Sequence, residues 1–241
     1  MVVNNEEEKV VCNNSLKIKL DHLKTFEPLT ENQSKFFKAY RQGDYFIALH
    51  GVAGTGKTFC ALYKALEEVL DKSNPFRKII IVRSAVQSRE IGHLPGDVTE
   101  KMEIYQQPYQ QICETLFGRK DAYQRLEEQN YVEFISTSFI RGMSFDDAII
   151  IVDEMQNMNF SEIDTVMTRV GYRSKIIWCG DYRQTDLNRR NNDVSGILKF
   201  FDIAHHMSSF TRIEFTADDI VRSSLVREYI LAKMKYEDMV Q

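Results

Sequence analysis

The chain has 241 residues, which is enough for one large α/β domain or two small ones. Its net charge of −4 excludes a general basic field for polyanions, so any nucleic-acid contact must come from a local patch. The four cysteines are far apart, no apolar run reaches the length of a membrane span, and the acidic N-terminus does not resemble a signal peptide, so we expect a cytoplasmic protein without a membrane partner.

Residues 1–27 are polar and weakly patterned, and we interpret them as an N-terminal tail that precedes one domain at residues 28–241. A helix is predicted from about residue 31 to Tyr40, with Thr30 as its N-cap and Gln33 at the capping-box spacing. A second interpretation is that the Gln33 amide reads the N6 and N7 edge of adenine. The spacing alone favours the capping role.

A glycine-rich loop follows a predicted strand at 45–49 and precedes a predicted helix at 59–70. It fits G-x-x-x-x-G-K-[ST], in which glycines and the helix N-terminus turn several N–H groups toward bound phosphates. Lys57 would reach the β- and γ-phosphates and Thr58 would ligate Mg²⁺. The predicted nucleotide-binding residues of this loop are Gly51, Val52, Ala53, Gly54, Thr55, Gly56, Lys57 and Thr58.

A second buried strand is predicted at 78–82, and it ends at Arg83. Ligands of open α/β sheets gather at the carboxyl ends of strands, so the loop at 92–97 is a candidate surface for a second substrate. A plain turn before a helix is an equally good interpretation. That helix is predicted at 97–117, interrupted or bent at Pro108, and a third strand at 131–135.

The fourth predicted strand, at 148–152, ends in Asp153 and Glu154, as a Walker B strand does. An acidic pair at the end of a buried strand is costly unless it faces a cation or a polar substrate. Asp153 would hold the Mg²⁺ shell, and Glu154 would polarise the attacking water as general base. The phosphate-binding loop upstream favours this site over a strand that simply ends in solvent.

The fifth predicted strand, at 175–179, is followed by Gln184, which stands where a γ-phosphate sensor is needed. A lone glutamine is more often a surface loop residue. The final helix would begin near Asp218 and Asp219, whose charges suit its dipole. The chain is predicted to close with a helix at 194–203, a strand at 210–215 and a helix at 217–235.

From about Leu29 to Lys233 the motifs resemble, in order and spacing, those of the PhoH-like ATPases, in particular the short phage-type members. They also resemble the first RecA-like domain of superfamily 1 helicases, where D-E-x-Q is motif II and G-D-x-x-Q is motif III. Met155 and Asn188 depart from the family pattern, which has Ala and Pro there. The blocks that carry the resemblance are 51–58, 92–101, 146–148, 153–157, 168–171, 180–187 and 219–226.

The resemblance implies a single α/β RecA-like P-loop NTPase domain, with a mainly parallel sheet flanked by helices. It implies an ATP hydrolase with ATP and Mg²⁺ as cofactors, in which Gln33 reads adenine and Gln184 senses the γ-phosphate. About fifty residues follow the sensor loop, too few for a second such domain. We therefore expect a homo-oligomeric ring, a hexamer as in related ATPases, whose neighbour supplies an arginine: Arg222 first, then Arg169 or Arg141.

Two hypotheses remain for what ATP hydrolysis drives. The first is a helicase-like motor on RNA or single-stranded DNA, which needs a basic track. The second is a non-motor, ATP-dependent switch that assembles with a protein partner, which the net negative charge favours slightly. The candidate residues for the basic track are Arg83, Arg89, Arg141, Arg189 and Arg190.

Overall fold

The computed structural model describes residues 17–84, 98–181 and 196–240. Within them, six strands form one parallel sheet in the order β3-β2-β4-β5-β1-β6. The strands β1, β4 and β5 are buried along their whole length, as continuous apolar strands of a parallel sheet are. Their bounds are Phe46–Gly51 (β1), Lys78–Arg83 (β2), Val132–Ser136 (β3), Ala148–Asp153 (β4), Lys175–Gly180 (β5) and Phe210–Phe215 (β6).

Helices cover both faces of the sheet. They are Glu31–Arg41 (α1), Lys57–Leu70 (α2), Val98–Phe117 (α3), Ala122–Glu128 (α4), Phe160–Met167 (α5), Ile197–Ala204 (α6) and Ser224–Val240 (α7). One apolar cluster packs α1 to α4 against the sheet, and a second packs α5 and α6 against its other face. The predicted α/β fold with a parallel sheet is therefore confirmed. No helix in the described part of the chain is long and apolar enough to cross a membrane.

The strand order places the candidate residues together. Because the sheet is parallel, all its strands end at the same edge. The neighbours β4, β5 and β1 end there at Asp153, Gly180 and Gly51. The phosphate-binding loop after β1 and the acidic pair at the end of β4 consequently meet at this edge, where ligands of α/β sheets bind.

The six predicted strands are confirmed, with shifts of one or two residues at their ends. The predicted start of the final helix is wrong, because residues 217–219 form a 3₁₀ turn and α7 begins at Ser224. Asp219 does not face a helix dipole: its carboxylate accepts bonds from Asn32 Nδ2 (2.7 Å) and Thr216 N (2.8 Å). Helix α3 continues through Pro108. Helices α4 and α5 were not predicted.

Part of the predicted N-terminal tail contacts the domain. Ile18 is 2% exposed within the apolar cluster of α1 to α4. The Phe26 ring lies 5.2 Å from the Phe59 ring, centroid to centroid, and the amide of Lys24 donates to the carbonyl of Leu116 (2.9 Å). Residues 1–16 lie outside the described part of the chain, and the domain boundary at residue 28 stays a prediction.

Candidate nucleotide site

The phosphate-binding loop joins β1 to α2 and depends on glycine geometry. Gly51, Gly54 and Gly56 have positive φ angles of +118°, +75° and +79°. Residues that have a Cβ atom rarely adopt such angles, whereas glycine does so readily. Gly56 is the N-cap of α2, and among the described residues no side-chain cap bond is found at this helix end. The first N–H groups of α2 are therefore available to an anion, and the helix dipole attracts one.

Lys57, the first residue of α2, lies along the inside of the loop. Its Nζ donates to the carbonyl oxygens of Gly51 (3.1 Å) and Val52 (2.7 Å) and to Thr55 Oγ1 (3.2 Å). Burial lowers the pKa of Lys57, and the nearby carboxylate of Asp181 works in the opposite direction. The acceptors in the loop are neutral, so an incoming phosphate is a stronger partner for this ammonium group.

Thr58 and Asp153 meet as the sequence analysis predicts for the two metal ligands. Thr58 Oγ1 donates to Asp153 Oδ1 (2.7 Å), and the hydroxyl of Tyr109 on α3 donates to Asp153 Oδ2 (2.9 Å). A hydroxyl beside a carboxylate is a donor set of hard oxygens that fits Mg²⁺, which takes its remaining ligands from phosphates and water. No group of three or more His, Cys, Asp and Glu side chains that could hold a metal occurs among the described residues.

Glu154 follows β4 directly and has a left-handed backbone, with φ 52° and ψ 43°. Such a conformation is unfavourable for glutamate and is found at functional sites. Its carboxylate accepts a hydrogen bond from the Gln156 amide. Burial raises the pKa of Glu154, the charge of Asp153 raises it further, and Arg83 opposes both. The raised pKa makes this carboxylate a stronger base, which suits the predicted role.

Gln156 connects the acidic pair to the end of β5. Its Oε1 accepts from the backbone N–H of Asp181 (3.0 Å), while its Nε2 holds Glu154. A methyl group on Gly180 would lie 2.5 Å from Gln156 Oε1, so only glycine fits beneath this amide. Gln156 is the last residue of the D-E-x-Q motif, and no role was predicted for it.

The Gln33 side chain does not form the capping-box bond that its spacing predicts, since its amide oxygen accepts from Leu29 and not from the N-cap Thr30. The backbone N–H of Gln33 donates to Thr30 Oγ1 (3.4 Å), so the predicted N-cap is confirmed. Its side-chain amide accepts from the N–H of Leu29 (2.8 Å) and donates to the carbonyl of Thr55 (3.0 Å). One donor and one acceptor position of the amide remain for a ligand, as adenine reading requires. That reading stays a prediction.

A cavity of about 750 Å³ joins these groups. Its size falls in the range of small-molecule sites. Its walls include the apolar side chains of Phe26, Phe59 and Ile112 as well as Lys57 and the acidic pair. Sequence reasoning missed Phe26, because it assigned that residue to the tail, and Tyr109, because nothing in the pattern of α3 points to Asp153.

Two of the predicted neighbour-supplied arginines contact groups of their own chain. A methyl group on Gly54 would lie 3.0 Å from Arg222 Cγ, Arg222 lines the cavity, and the N–H of Val221 donates to the carbonyl of Gly54 (3.0 Å). This placement favours a role of Arg222 in its own chain's cavity over the predicted role in a neighbour's. Arg169 Nη1 donates to the carbonyl of Met143 (3.3 Å), outside the cavity.

The predicted basic track is divided in the structure. Arg83 lines the nucleotide cavity, whereas Arg141 is exposed and lines a smaller, separate cavity of about 330 Å³. The remaining predicted site residues, Arg89, Gln184, Arg189 and Arg190, lie outside the described residues, as does the loop at 92–97.

Comparison with protein families identifies the family of the chain. The family model described as PhoH-like protein matches residues 25–234, which is most of the chain. The chain belongs to the PhoH-like family. PhoH-like proteins of Mycobacterium leprae and Bacillus subtilis are each 33% identical to it, over 93% and 87% of this chain. Protein PhoH of Escherichia coli is 31% identical over 84%. The PhoH-like chain spans 63%, 64% and 56% of these relatives' lengths, respectively.

Solved structures with a similar arrangement include a Sulfolobus solfataricus SWI2/SNF2 ATPase core in complex with dsDNA. It is 16% identical, with a TM-score of 0.42 over 73% of the PhoH-like chain and 37% of its own. A structure of two coordinating Pif1 helicases at forked dsDNA is also 16% identical, with a TM-score of 0.36 over 78% of the PhoH-like chain and 43% of its own. Similarity at this level has no weight in assigning a function.

Proposed function

We propose that this PhoH-like chain is a Mg²⁺-dependent ATP hydrolase. The observation that carries the proposal is the meeting of Lys57, the hydrogen-bonded pair Thr58–Asp153 and Glu154 in one cavity. These residues come from the end of one strand, β4, and the start of one helix, α2. They supply the three groups that phosphoryl transfer to water requires: a phosphate cradle, metal ligands and a base.

Each residue has a distinct part in the proposed reaction. Lys57 and the N-terminus of α2 would bind the phosphates, and Thr58 and Asp153 would hold Mg²⁺. The bound metal would neutralise phosphate charge and polarise the terminal phosphoryl group. Glu154 would accept the proton of the attacking water, with one carboxylate oxygen fixed by Gln156 and the other directed at the water.

The direct test of this proposal is Glu154→Gln. We expect hydrolysis to fall by about 10²–10⁴-fold, because the amide cannot accept the proton, while ATP affinity changes little. Glu127→Gln is a matched control, since burial also raises the pKa of Glu127 but its side chain does not line the cavity. Wild-type turnover in the Glu154→Gln protein would show that another group is the base.

The finer proposal is that hydrolysis drives a helicase-like motor on RNA or single-stranded DNA, within a homo-oligomeric, hexameric ring. The motif II and motif III blocks of the sequence support it. Arg141, Ser138 and Ser161 line the smaller cavity, and such side chains contact nucleic-acid backbones. The alternative is a non-motor ATP-dependent switch with a protein partner, which the net charge of −4 favours.

Hydrolysis measured with and without single-stranded RNA and DNA separates these alternatives. Stimulation that weakens with rising salt and is lost in Arg141→Glu supports the motor. Hydrolysis that depends on Glu154 and ignores every polynucleotide supports the switch. Light scattering at several protein concentrations tests the ring, and a monomer at all concentrations with ATP and Mg²⁺ present contradicts it.

A further inference from the structure

Arg83 lies beside the acidic pair of the cavity, Asp153 and Glu154. It is the last residue of β2, in register with Asp153 on β4, and it lines the cavity together with Glu154. Burial alone would lower the pKa of Arg83, but Tyr109 and the two carboxylates outweigh burial, and the net shift is upward. Arg83 therefore stays charged beside the acidic pair, a position that a track for nucleic acid on the outer surface does not require.

Two tyrosines of α3 hold the guanidinium group in place. It lies 5.4 Å from the centre of the Tyr105 ring, a cation–π distance. Tyr109, one turn further along α3, is fully buried, and its hydroxyl contacts Arg83 and donates to Asp153. An aromatic ring and a hydroxyl group thus both contact the guanidinium group and restrain its position.

The groups that line the cavity determine what Arg83 would meet. Phe26 and Gln33 line it and suit a base, and Thr58 with Asp153 lines it and suits the metal beside the terminal phosphate. Resting on the proposed ATPase function, we infer that Arg83 of the same chain contacts the terminal phosphate and stabilises the charge that develops during hydrolysis. Tyr109 is the residue that positions it.

The chemistry of the step is consistent with this role. The oxygen of water bonds to the terminal phosphorus, the bond from phosphorus to the bridging oxygen breaks, and the proton of the water passes to Glu154. Negative charge spreads over the oxygens of the transferred group, and an arginine can bind two of them at once, which lysine cannot. Arginines in this role contribute about 10³–10⁵ in rate in comparable enzymes. Arg83 would supply this contribution in cis, in addition to any arginine of a neighbour.

The experiment uses ADP with Mg²⁺ and aluminium fluoride, which mimics the transferred group, alongside single-turnover ATP hydrolysis. For Arg83→Ala and Arg83→Lys we expect the rate of hydrolysis to fall at least about 100-fold. The increase in ADP affinity that aluminium fluoride causes should disappear, while the affinity for ADP alone should stay within about threefold of the wild-type value. Tyr109→Phe should lower both readouts about tenfold, as the loss of a supporting contact does.

Matched controls isolate the site. Arg119→Lys changes an arginine that pairs with Asp121 outside the cavity, and Tyr123→Phe removes an equally buried hydroxyl that does not line it. Both should behave as wild type. Arg83→Lys keeps the charge beside the carboxylates, so it decides the question if Arg83→Ala unfolds.

Undiminished tightening of ADP by aluminium fluoride in folded Arg83 variants would overturn the inference. Normal basal hydrolysis in these variants, combined with a loss of stimulation by polynucleotide, would also overturn it. That result would support the predicted role of Arg83 in nucleic-acid binding. Failure of the proposed ATPase function would instead be seen in the wild-type protein, which would not hydrolyse ATP. If the wild type binds ATP without hydrolysing it, the aluminium fluoride readout still tests Arg83.

Discussion

Replacing Gly51 with alanine tests whether the contact between β1 and β6 fixes the start of the phosphate-binding loop. The new methyl group would lie 2.1 Å from the carbonyl oxygen of Phe215, nearly 1 Å closer than side chains tolerate. That oxygen accepts the hydrogen bond of the Val52 N–H (2.9 Å), so relieving the clash breaks this bond. Gly43→Ala is the control, because Gly43 also has a positive φ (+90°) but nothing within 4 Å of the new methyl group.

The expected loss follows from three contributions. The positive φ costs about 1–2 kcal/mol for alanine, and this is the whole effect expected for Gly43→Ala. The lost hydrogen bond adds about 1 kcal/mol and the steric displacement about 1–3 kcal/mol at Gly51. Gly51→Ala should therefore lower the free energy of unfolding by roughly 3–6 kcal/mol, which is roughly 6–24 °C in Tm for a chain of this size.

Urea unfolding followed by the fluorescence of Trp178 measures both variants. This residue is the single tryptophan of the chain and is fully buried in β5, so its emission reports on the sheet. The difference between the two variants isolates the contact with Phe215. Equal losses in Gly51→Ala and Gly43→Ala would refute the reasoning, because they would show that β6 moves away at no cost.

Three further predictions concern charge and packing. Burial lowers the pKa of His50 to about 4. The free energy of unfolding should therefore fall by about 3 kcal/mol between pH 6.5 and pH 4, because only the unfolded chain takes up a proton in this range. The same pH dependence of the free energy of unfolding in His50→Gln would contradict this. Gly180→Ala should displace the Gln156 amide that holds Glu154, the proposed general base, and lower kcat by about 100-fold with little change in ATP affinity, measured by steady-state hydrolysis and nucleotide binding. Glu68→Ala should destabilise the fold by about 3 kcal/mol in urea titrations, and more than Lys175→Met does, since Lys175 (3% exposed) is the buried member of the pair and Glu68 is 28% exposed.

The centre of the sheet was predictable because β1, β2, β4 and β5 are short, mostly apolar runs, as buried parallel strands are. The meeting of Thr58 with Asp153 was predictable too, since parallel strands end at one edge, Asp153 ends β4, and Thr58 follows the glycine-rich loop after β1. The sequence failed where a role depends on a partner far along the chain. Tyr109 is 44 residues from Asp153, and its hydroxyl is recognisable as functional only once α3 is packed on the sheet.

Helices α4 and α5 were missed because they have only seven and eight residues, too few turns for an apolar periodicity to stand out. Helix α5 does carry a local signal, the reciprocal capping box of Asn159 and Glu162, which could have located its start. The placement of Arg222 had no such signal, because a motif gives the order of residues along the chain and not the cavity into which a side chain folds.

The bond between Asn32 and Asp219 joins residues 187 positions apart, and its consequence concerns synthesis of the protein. The walls of the cavity come from both ends of the domain, from Phe26 and Gln33 at one end to Val221 and Arg222 at the other. A growing chain can form the central strands and the glycine-rich loop long before the last part of this enclosure leaves the ribosome. The complete cavity therefore forms only after the chain has been synthesised past Arg222, and a chain that stops before Asp219 would have the glycine-rich loop without the complete enclosure around it.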